Sequence, residues 1–185
     1  ELAGARKKLG WTSEPFEIPA DVRDAWTAAG ARGADDFNAW GGRFEGLDAA
    51  LKDEFERRIE GKLPENWIEA FNDYKKQITA DQPKVATRKA SENVLEVLTK
   101  AIPEMIGGSA DLTGSNNTKT SVQAPITADG GYEGGYIYYG IREHGMAAAM
   151  NGLALHGGVL PYGGTFLVFT DYCRPAIRLS ALMNQ

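Results

Sequence analysis

The stretch Tyr136–His156, YIYYGIREHGMAAAMNGLALH, decides how the chain is read. Its opening, Tyr136-Ile137-Tyr138-Tyr139, is a short apolar aromatic run of the kind that forms a buried strand. Gly140 then turns the chain, and a helix is expected to begin near Ile141. Met146-Ala147-Ala148-Ala149-Met150 makes that helix apolar on nearly every side, a pattern that belongs in an interior. Three polar residues, Arg142, Glu143 and His144, cluster at its first turn. A doubly wound α/β fold places ligand chemistry at such a strand-to-helix junction. Two roles are open to Glu143: an acid kept for a ligand, or one that complements the positive end of the helix dipole.

Outward from this stretch the pattern alternates. Upstream, Met105-Ile106-Gly107-Gly108 reads as a strand, followed by the polar turn Ser109–Asn116 and a polar, glycine-rich loop over 117–135. Before that strand, Arg88 to Ala101 is a helix with Thr87 as N-cap, Ala90, Val94, Val97, Leu98 and Ala101 facing inward, and Pro103 beyond its end. Downstream, Val159 to Tyr162 is a third strand. Gly163-Gly164-Thr165 then leads into a helical segment, Phe166 to Gln185, which Pro175 is expected to kink or divide. Strands alternating with helices predict an α/β fold, a parallel sheet flanked by helices.

The first part of the chain reads differently. Helices are expected over 1–9, closed by Gly10, over 21–29, closed by Gly30, and over 35–44. Leu47, Leu51, Phe55 and Ile59 recur every four residues among charged ones, an amphipathic surface helix. Trp67, Phe71, Tyr74 and Ile78 mark the next. Composition changes at Asp81-Gln82-Pro83, so the predicted division is a helical linker with the tail of a preceding domain, 1–83, and an α/β domain, 84–185, cut short on its C-terminal side.

Composition narrows the classes. The chain has 185 residues, 43% of them hydrophobic, which is enough for a packed core. A net charge of -5 argues against a general binder of nucleic acid or anionic membrane. No apolar run is long enough to span a bilayer, and no signal peptide is expected at Glu1. Cys173 is the single cysteine, so no internal disulfide framework forms, and a reducing compartment, the cytoplasm, is the expectation. No GxGxxG, GxxxxGK[ST] or GxSxG motif occurs.

Three further clusters join Arg142-Glu143-His144 as chemical candidates. Ser109–Asn116, small and hydroxylic after a strand, could offer amides and hydroxyls to an anion, although a Ser/Asn/Gly turn alone is weak evidence. Phe166, Phe169 and Tyr172, three apart, form either a cofactor wall or core packing. Arg88 opens a helix, where a basic side chain opposes the dipole; it is either solvated or kept for a phosphate.

Taken in order, these clusters resemble transketolase. The matching strings are Ala86-Thr87-Arg88-Lys89 with Ser91, Gly108-Ser109-Ala110-Asp111-Leu112-Thr113 with Ser115-Asn116, Tyr139-Gly140-Ile141-Arg142-Glu143-His144, and Pro161-Tyr162-Gly163-Gly164-Thr165-Phe166. Asn151-Gly152-Leu153 and Ile177-Arg178-Leu179-Ser180-Ala181-Leu182 add to them. In that family thiamine diphosphate lies between two domains, usually of different subunits of a homodimer. One domain grips the diphosphate and its divalent metal, magnesium or calcium, and the other grips the pyrimidine. The resemblance implies that this chain is the pyrimidine-binding part, preceded by the end of the diphosphate-binding domain, which would come from a second subunit.

The resemblance also assigns roles. Glu143 matches the glutamate that bonds the pyrimidine nitrogen, where sharing a proton favours the imino form of the ring's amino group, the base for the thiazolium carbon. Phe166, Phe169 and Tyr172 match the aromatic wall around the pyrimidine, and Asp111 an aspartate lining the cofactor site near the subunit contact. Arg88 and Ser115 match the residues that hold the sugar phosphate. No residue of this chain is expected to ligate metal. The implied activity is transfer of a two-carbon ketol unit between ketose and aldose phosphates. Rival readings are another thiamine diphosphate enzyme, of the dihydroxyacetone synthase or deoxyxylulose phosphate synthase type, and a non-catalytic assembly module. Ser-Ala-Asp-Leu-Thr together with Arg88 favours transketolase.

Overall fold

A computed structural model describes all of residues 1–185. Contacts divide the chain into two units, Glu1–Lys52 and Asp53–Gln185. In the first, α1 (Leu2–Leu9) ends as expected on Gly10 in the left-handed region, with φ 68°. α2 (Ala20–Ala31) runs through Gly30 instead of stopping there, because a glycine in mid-helix costs only about 1 kcal/mol. α3 (Ala34–Glu45) carries a ladder of rings, with Trp40 stacked on Phe44 at 5.3 Å and Phe37 beside Trp40 at 6.0 Å.

The second unit holds α5 (Trp67–Asp81), α6 (Thr87–Ala101) and the sheet. It also contains all but the first turn of α4 (Ala49–Ile59). Thr87 is the first residue of α6 and not its cap; Ala86, in an extended conformation, precedes the helix without a side-chain hydrogen bond. Of the expected inward face, Val94, Val97, Leu98 and Ala101 are half-buried. Ala90 is exposed, and Thr99 is the buried residue, its hydroxyl 2.8 Å from Leu95 O and 2.9 Å from Thr120 Oγ1.

The sheet is parallel, with order β2-β1-β3 and β1 (Met105–Ser109) in the centre. β2 (Tyr136–Tyr138) pairs with it through Gly107↔Tyr136 and Ser109↔Tyr138, and β3 (Leu160–Pro161) through Met105↔Leu160. Glycines in β1 let neighbours approach the strand. A Cβ on Gly107 would collide with the ring of Tyr162, and one on Gly108 with the ring of Tyr139. The turn after β1 closes in a one-turn helix, α7 (Thr113–Asn116).

α8 (Glu143–His156) starts two residues later than the sequence suggested. Gly140, at φ 66°, and Arg142, at φ −149° and ψ 63°, are both non-helical, so Glu143 is the first helical residue. α8 is not an interior helix within this chain. Only Glu143, Met146 and Asn151 are buried, while Ala148, Ala149, Gly152 and Leu155 face outward, because β3 and α9 cover one side alone.

Phe166 to Phe169 is not yet α-helical: Phe166 is extended and Leu167–Phe169 forms a 3-10 turn. α9 (Thr170–Met183) then runs unbroken through Pro175. Proline removes one amide donor there. Packing on α8 offsets the loss. Asn151 Nδ2 donates to Ala176 O at 2.9 Å, and Ser180 Oγ donates to Asn151 Oδ1.

Candidate functional site

Parallel pairing sends the C-terminal ends of β1 and β2 to the same edge, where an open α/β sheet binds ligands. From β1 the chain passes through Ser109 and Ala110 to Asp111; from β2 it passes through Gly140 to Glu143. Phe169 comes from the 3-10 turn before α9 and Tyr172 from the first turn of α9. These segments enclose a cavity of about 820 Å3 lined by Asp111, Leu112, Ile141, Glu143, Phe169 and Tyr172, among others.

Glu143 is the buried acid of this cavity, 8% exposed at the first turn of α8. Its carboxylate takes no hydrogen bond and no ion pair from the chain. Buried polar groups are normally satisfied, so an unpartnered carboxyl on a cavity wall marks a place for a donor from outside. Arg142 does not supply it. The Arg142 guanidinium turns back to Tyr139 O, with Nη1 at 2.8 Å.

Asp111 also lines the cavity, at φ 62°, a left-handed backbone region that aspartate enters more readily than most side chains. Ser109 braces the turn around it. Its fully buried hydroxyl donates to Gly164 O at 3.0 Å and accepts from Leu112 N at 3.1 Å.

The aromatic residues form a continuous series. Phe166 stacks on Phe169 at 5.7 Å and 11°, and Phe169 lies 6.1 Å from Tyr172. Phe169 and Tyr172 line the cavity, whereas Phe166 stands behind Phe169. Thus Glu143, Asp111, Phe169 and Tyr172 come together. Arg88, exposed at the start of α6, and Ser115, exposed on α7, do not line the cavity.

The sequence reading missed a buried polar cluster behind the site. Tyr162 Oη lies 2.7 Å from Thr118 O and 2.8 Å from Gln123 Oε1, two acceptors for its one proton; burial pushes its phenol up to about 12. Tyr136 Oη meets Thr113 Oγ1 at 2.9 Å and Thr118 Oγ1 at 2.6 Å. A polar residue in the 117–135 loop reads as solvated, so only the aromatic hydroxyls on the neighbouring strands hinted at these partners.

A cavity at the carboxyl edge of a parallel sheet, lined by a buried acid and two aromatic rings, is the place where an open α/β domain binds a ligand. Residues 83–185 match the family described as transketolase, pyrimidine binding domain, and residues 1–64 the one described as transketolase, thiamine diphosphate binding domain. The chain belongs to the transketolase family. It is 55% identical over its whole length to a transketolase of Cereibacter sphaeroides and 52% identical to the chromosomal transketolase of Cupriavidus necator. Among solved structures, it is similar to transketolase from Leishmania mexicana, with TM-score 0.76 and 35% identity over 97% of the chain. It is likewise similar to the Pichia stipitis enzyme in complex with sedoheptulose 7-phosphate, with TM-score 0.78 and 39% identity over 96%. The chain spans about a quarter of each: 27% of the first, third and fourth of these proteins and 28% of the second.

Proposed function

We propose that this chain supplies the pyrimidine-binding half of a thiamine diphosphate site in a transketolase, with residues 84–185 as the binding domain and 1–83 as the linker and tail of the preceding domain. Thiamine diphosphate, when bound, supplies the carbon nucleophile for moving a two-carbon ketol unit between ketose and aldose phosphates. The observation that carries the reading is the unpartnered, buried carboxyl of Glu143 facing the cavity.

The residues present suit the heterocycle. A planar ring offers a face to Phe169 and Tyr172 and an edge nitrogen to Glu143. Glu143 holds or shares one proton at its carboxyl oxygen, which a neutral amide could not do. Burial keeps water from competing for that proton, and the rings orient the ligand edge toward it. Asp111, fixed in its turn, faces the ligand from the β1 side. Arg88 and Ser115 take the phosphate of the sugar, an arrangement suited to charge-assisted hydrogen bonds.

The remaining parts of the site belong outside this chain. The diphosphate-binding domain of a second subunit would close the cavity in a homodimer and hold magnesium or calcium at the diphosphate. The printed ligand of the Pichia stipitis structure, a sugar phosphate, supports the substrate class. The single, free cysteine, Cys173, suits a cytoplasmic enzyme, and no helix is long and apolar enough to cross a membrane.

The test is Glu143→Gln in a polypeptide of the relatives' full length that carries this segment. Glutamine keeps the size and can hydrogen-bond, but it has no carboxyl proton to share. Folding and some cofactor binding should persist. Deuterium exchange at the thiazolium carbon, followed by quenched flow and proton NMR, should slow by orders of magnitude. If Glu143 served only the helix dipole, the variant would lose about 0.3–1 kcal/mol of stability and exchange at the wild-type rate.

A further inference from the structure

We propose that Tyr136 is a positioning residue: its phenol fixes α7 against the sheet and thereby sets where Asp111 and Ser115 meet their ligands. The proposal rests on the roles of those two residues given above. Tyr136 is 0% exposed, and its backbone is locked from two sides. It pairs with Gly107 of β1, its amide donates to Ala124 O, and its carbonyl accepts from Ile126 N at 2.7 Å. The ring meets Tyr138 edge-on at 5.2 Å. A side chain held in this way delivers its hydroxyl to a fixed point.

At that point the phenol touches both flanks of α7. Thr113 opens the helix and Thr118 follows it, and Tyr136 Oη lies 2.9 Å from the first hydroxyl and 2.6 Å from the second. The phenol has one proton to donate and lone pairs to accept, so it can bond both threonine hydroxyls at once. Thr118 is itself buried and held by other contacts. Its carbonyl accepts from Tyr162 Oη, and its methyl fills the space where a Cβ on Gly164 would stand.

α7 has no comparable hold of its own. Ser115 makes no side-chain hydrogen bond, and the amide nitrogen of the Asn116 side chain is buried without a partner. The Thr113–Tyr136 bond is therefore the one side-chain hydrogen bond formed by a residue of α7. A four-residue helix is too short to persist by its own backbone bonds. Its position is set by Tyr136 at one side and by Ser109, through Leu112 N, at the other. Between these two anchors lies Asp111 at φ 62°. A phenylalanine would fill the same core volume, so packing alone does not call for the hydroxyl.

The experiment compares Tyr136→Phe and Ser115→Ala in the full-length polypeptide by two readouts. The first is hydrogen–deuterium exchange of the protein without cofactor. In Tyr136→Phe the amides of Ser115, Asn116 and Asn117 should exchange about tenfold faster, whereas the sheet amides of Gly107 and Tyr139 keep their rates. The second is KM for fructose 6-phosphate against KM for erythrulose, which carries no phosphate. The first constant should rise about two- to tenfold, the worth of one hydrogen bond, and the second should stay. Ser115→Ala should give the same split. If Ser115→Ala shows the split and Tyr136→Phe leaves both exchange and KM unchanged, the positioning role is overturned. If Ser115→Ala shows no split, the phosphate role of Ser115 falls, and exchange alone decides: local acceleration at α7 supports the anchor, and its absence refutes it. Should Tyr136→Phe loosen the whole fold, Thr113→Val removes only the α7 end of the link; unchanged exchange at 115–117 in that variant would refute the proposal.

Discussion

A buried carboxyl without an internal partner is costly, and Glu143 is tolerated because its free oxygens border a cavity and not packed core. The sequence located this residue through its setting: an acid just past a glycine turn at the end of an aromatic strand. Phe169 and Tyr172 were legible from their spacing, although the 3-10 turn that aims them was not. Tyr136 was not legible as anything but a strand residue, since its hydroxyl finds its partners 18 and 23 positions away in sequence. Arg88 poses the converse case. Its motif marks it, yet it stands exposed and away from the cavity wall. If it holds a substrate phosphate, Arg88→Ala in the full-length polypeptide should raise KM for phosphorylated ketoses about ten- to a hundredfold, the worth of a charge-assisted contact. Cofactor affinity should not change. An equal loss with erythrulose would make Arg88 structural.

Among the elements, hydrophobic period located most helices, but long-range contacts set their details. Pro175 lies inside α9 because α8 holds the surrounding turns, a contact that local propensity does not encode. The same limit hid the role of α4. Its charged face reads as solvated, yet Arg57 reaches the buried Glu104 just before β1, with Nη1–Oε1 2.7 Å and Nη2–Oε2 3.1 Å. Arg57 also binds Glu54, and Arg58 binds Glu54 from the next position. These hydrogen bonds to Arg57 and Arg58 lower the Glu54 carboxyl from 4.5 to about 2. A carboxyl depressed in the fold contributes stability that is complete above pH 4.5 and lost as pH falls toward about 2. Glu54 is 39% exposed, so solvent and salt reduce the size of this effect. Urea unfolding should therefore show stability falling over that acid window, with a smaller fall in high salt. Arg57→Ala should flatten the dependence. At neutral pH it should also cost about 3 kcal/mol or more, since it strands Glu104 without its cation. An unchanged acid slope in Arg57→Ala would remove the clasp from the account.

At the scale of the whole molecule, the apolar surface is larger than this chain can bury. Ile141 is 81% exposed and Leu167 87%, and the outward face of α8 adds Ala148, Ala149 and Leu155. The sequence anticipated an interior position for α8 from composition, whereas within this chain α9 and β3 cover one side of it. Exposed single apolar residues are ordinary, but a helix face continuous with the rim of a ligand cavity is not. In the proposed enzyme, a second subunit covers this surface and completes the cofactor site. Alone, the 185-residue chain should therefore self-associate, and it should bind thiamine diphosphate only weakly if, as proposed, a second subunit supplies the diphosphate-gripping half. Sedimentation velocity over a wide concentration range tests the first part, and calorimetric titration with cofactor and magnesium tests the second. Replacing Ile141 and Leu155 with lysine should shift the chain toward monomer with little loss of stability, since both side chains already face solvent. A wild-type chain that sediments as a monomer at every concentration would mean that this face needs no partner. Submicromolar cofactor binding by the chain alone would mean that one polypeptide holds the whole site.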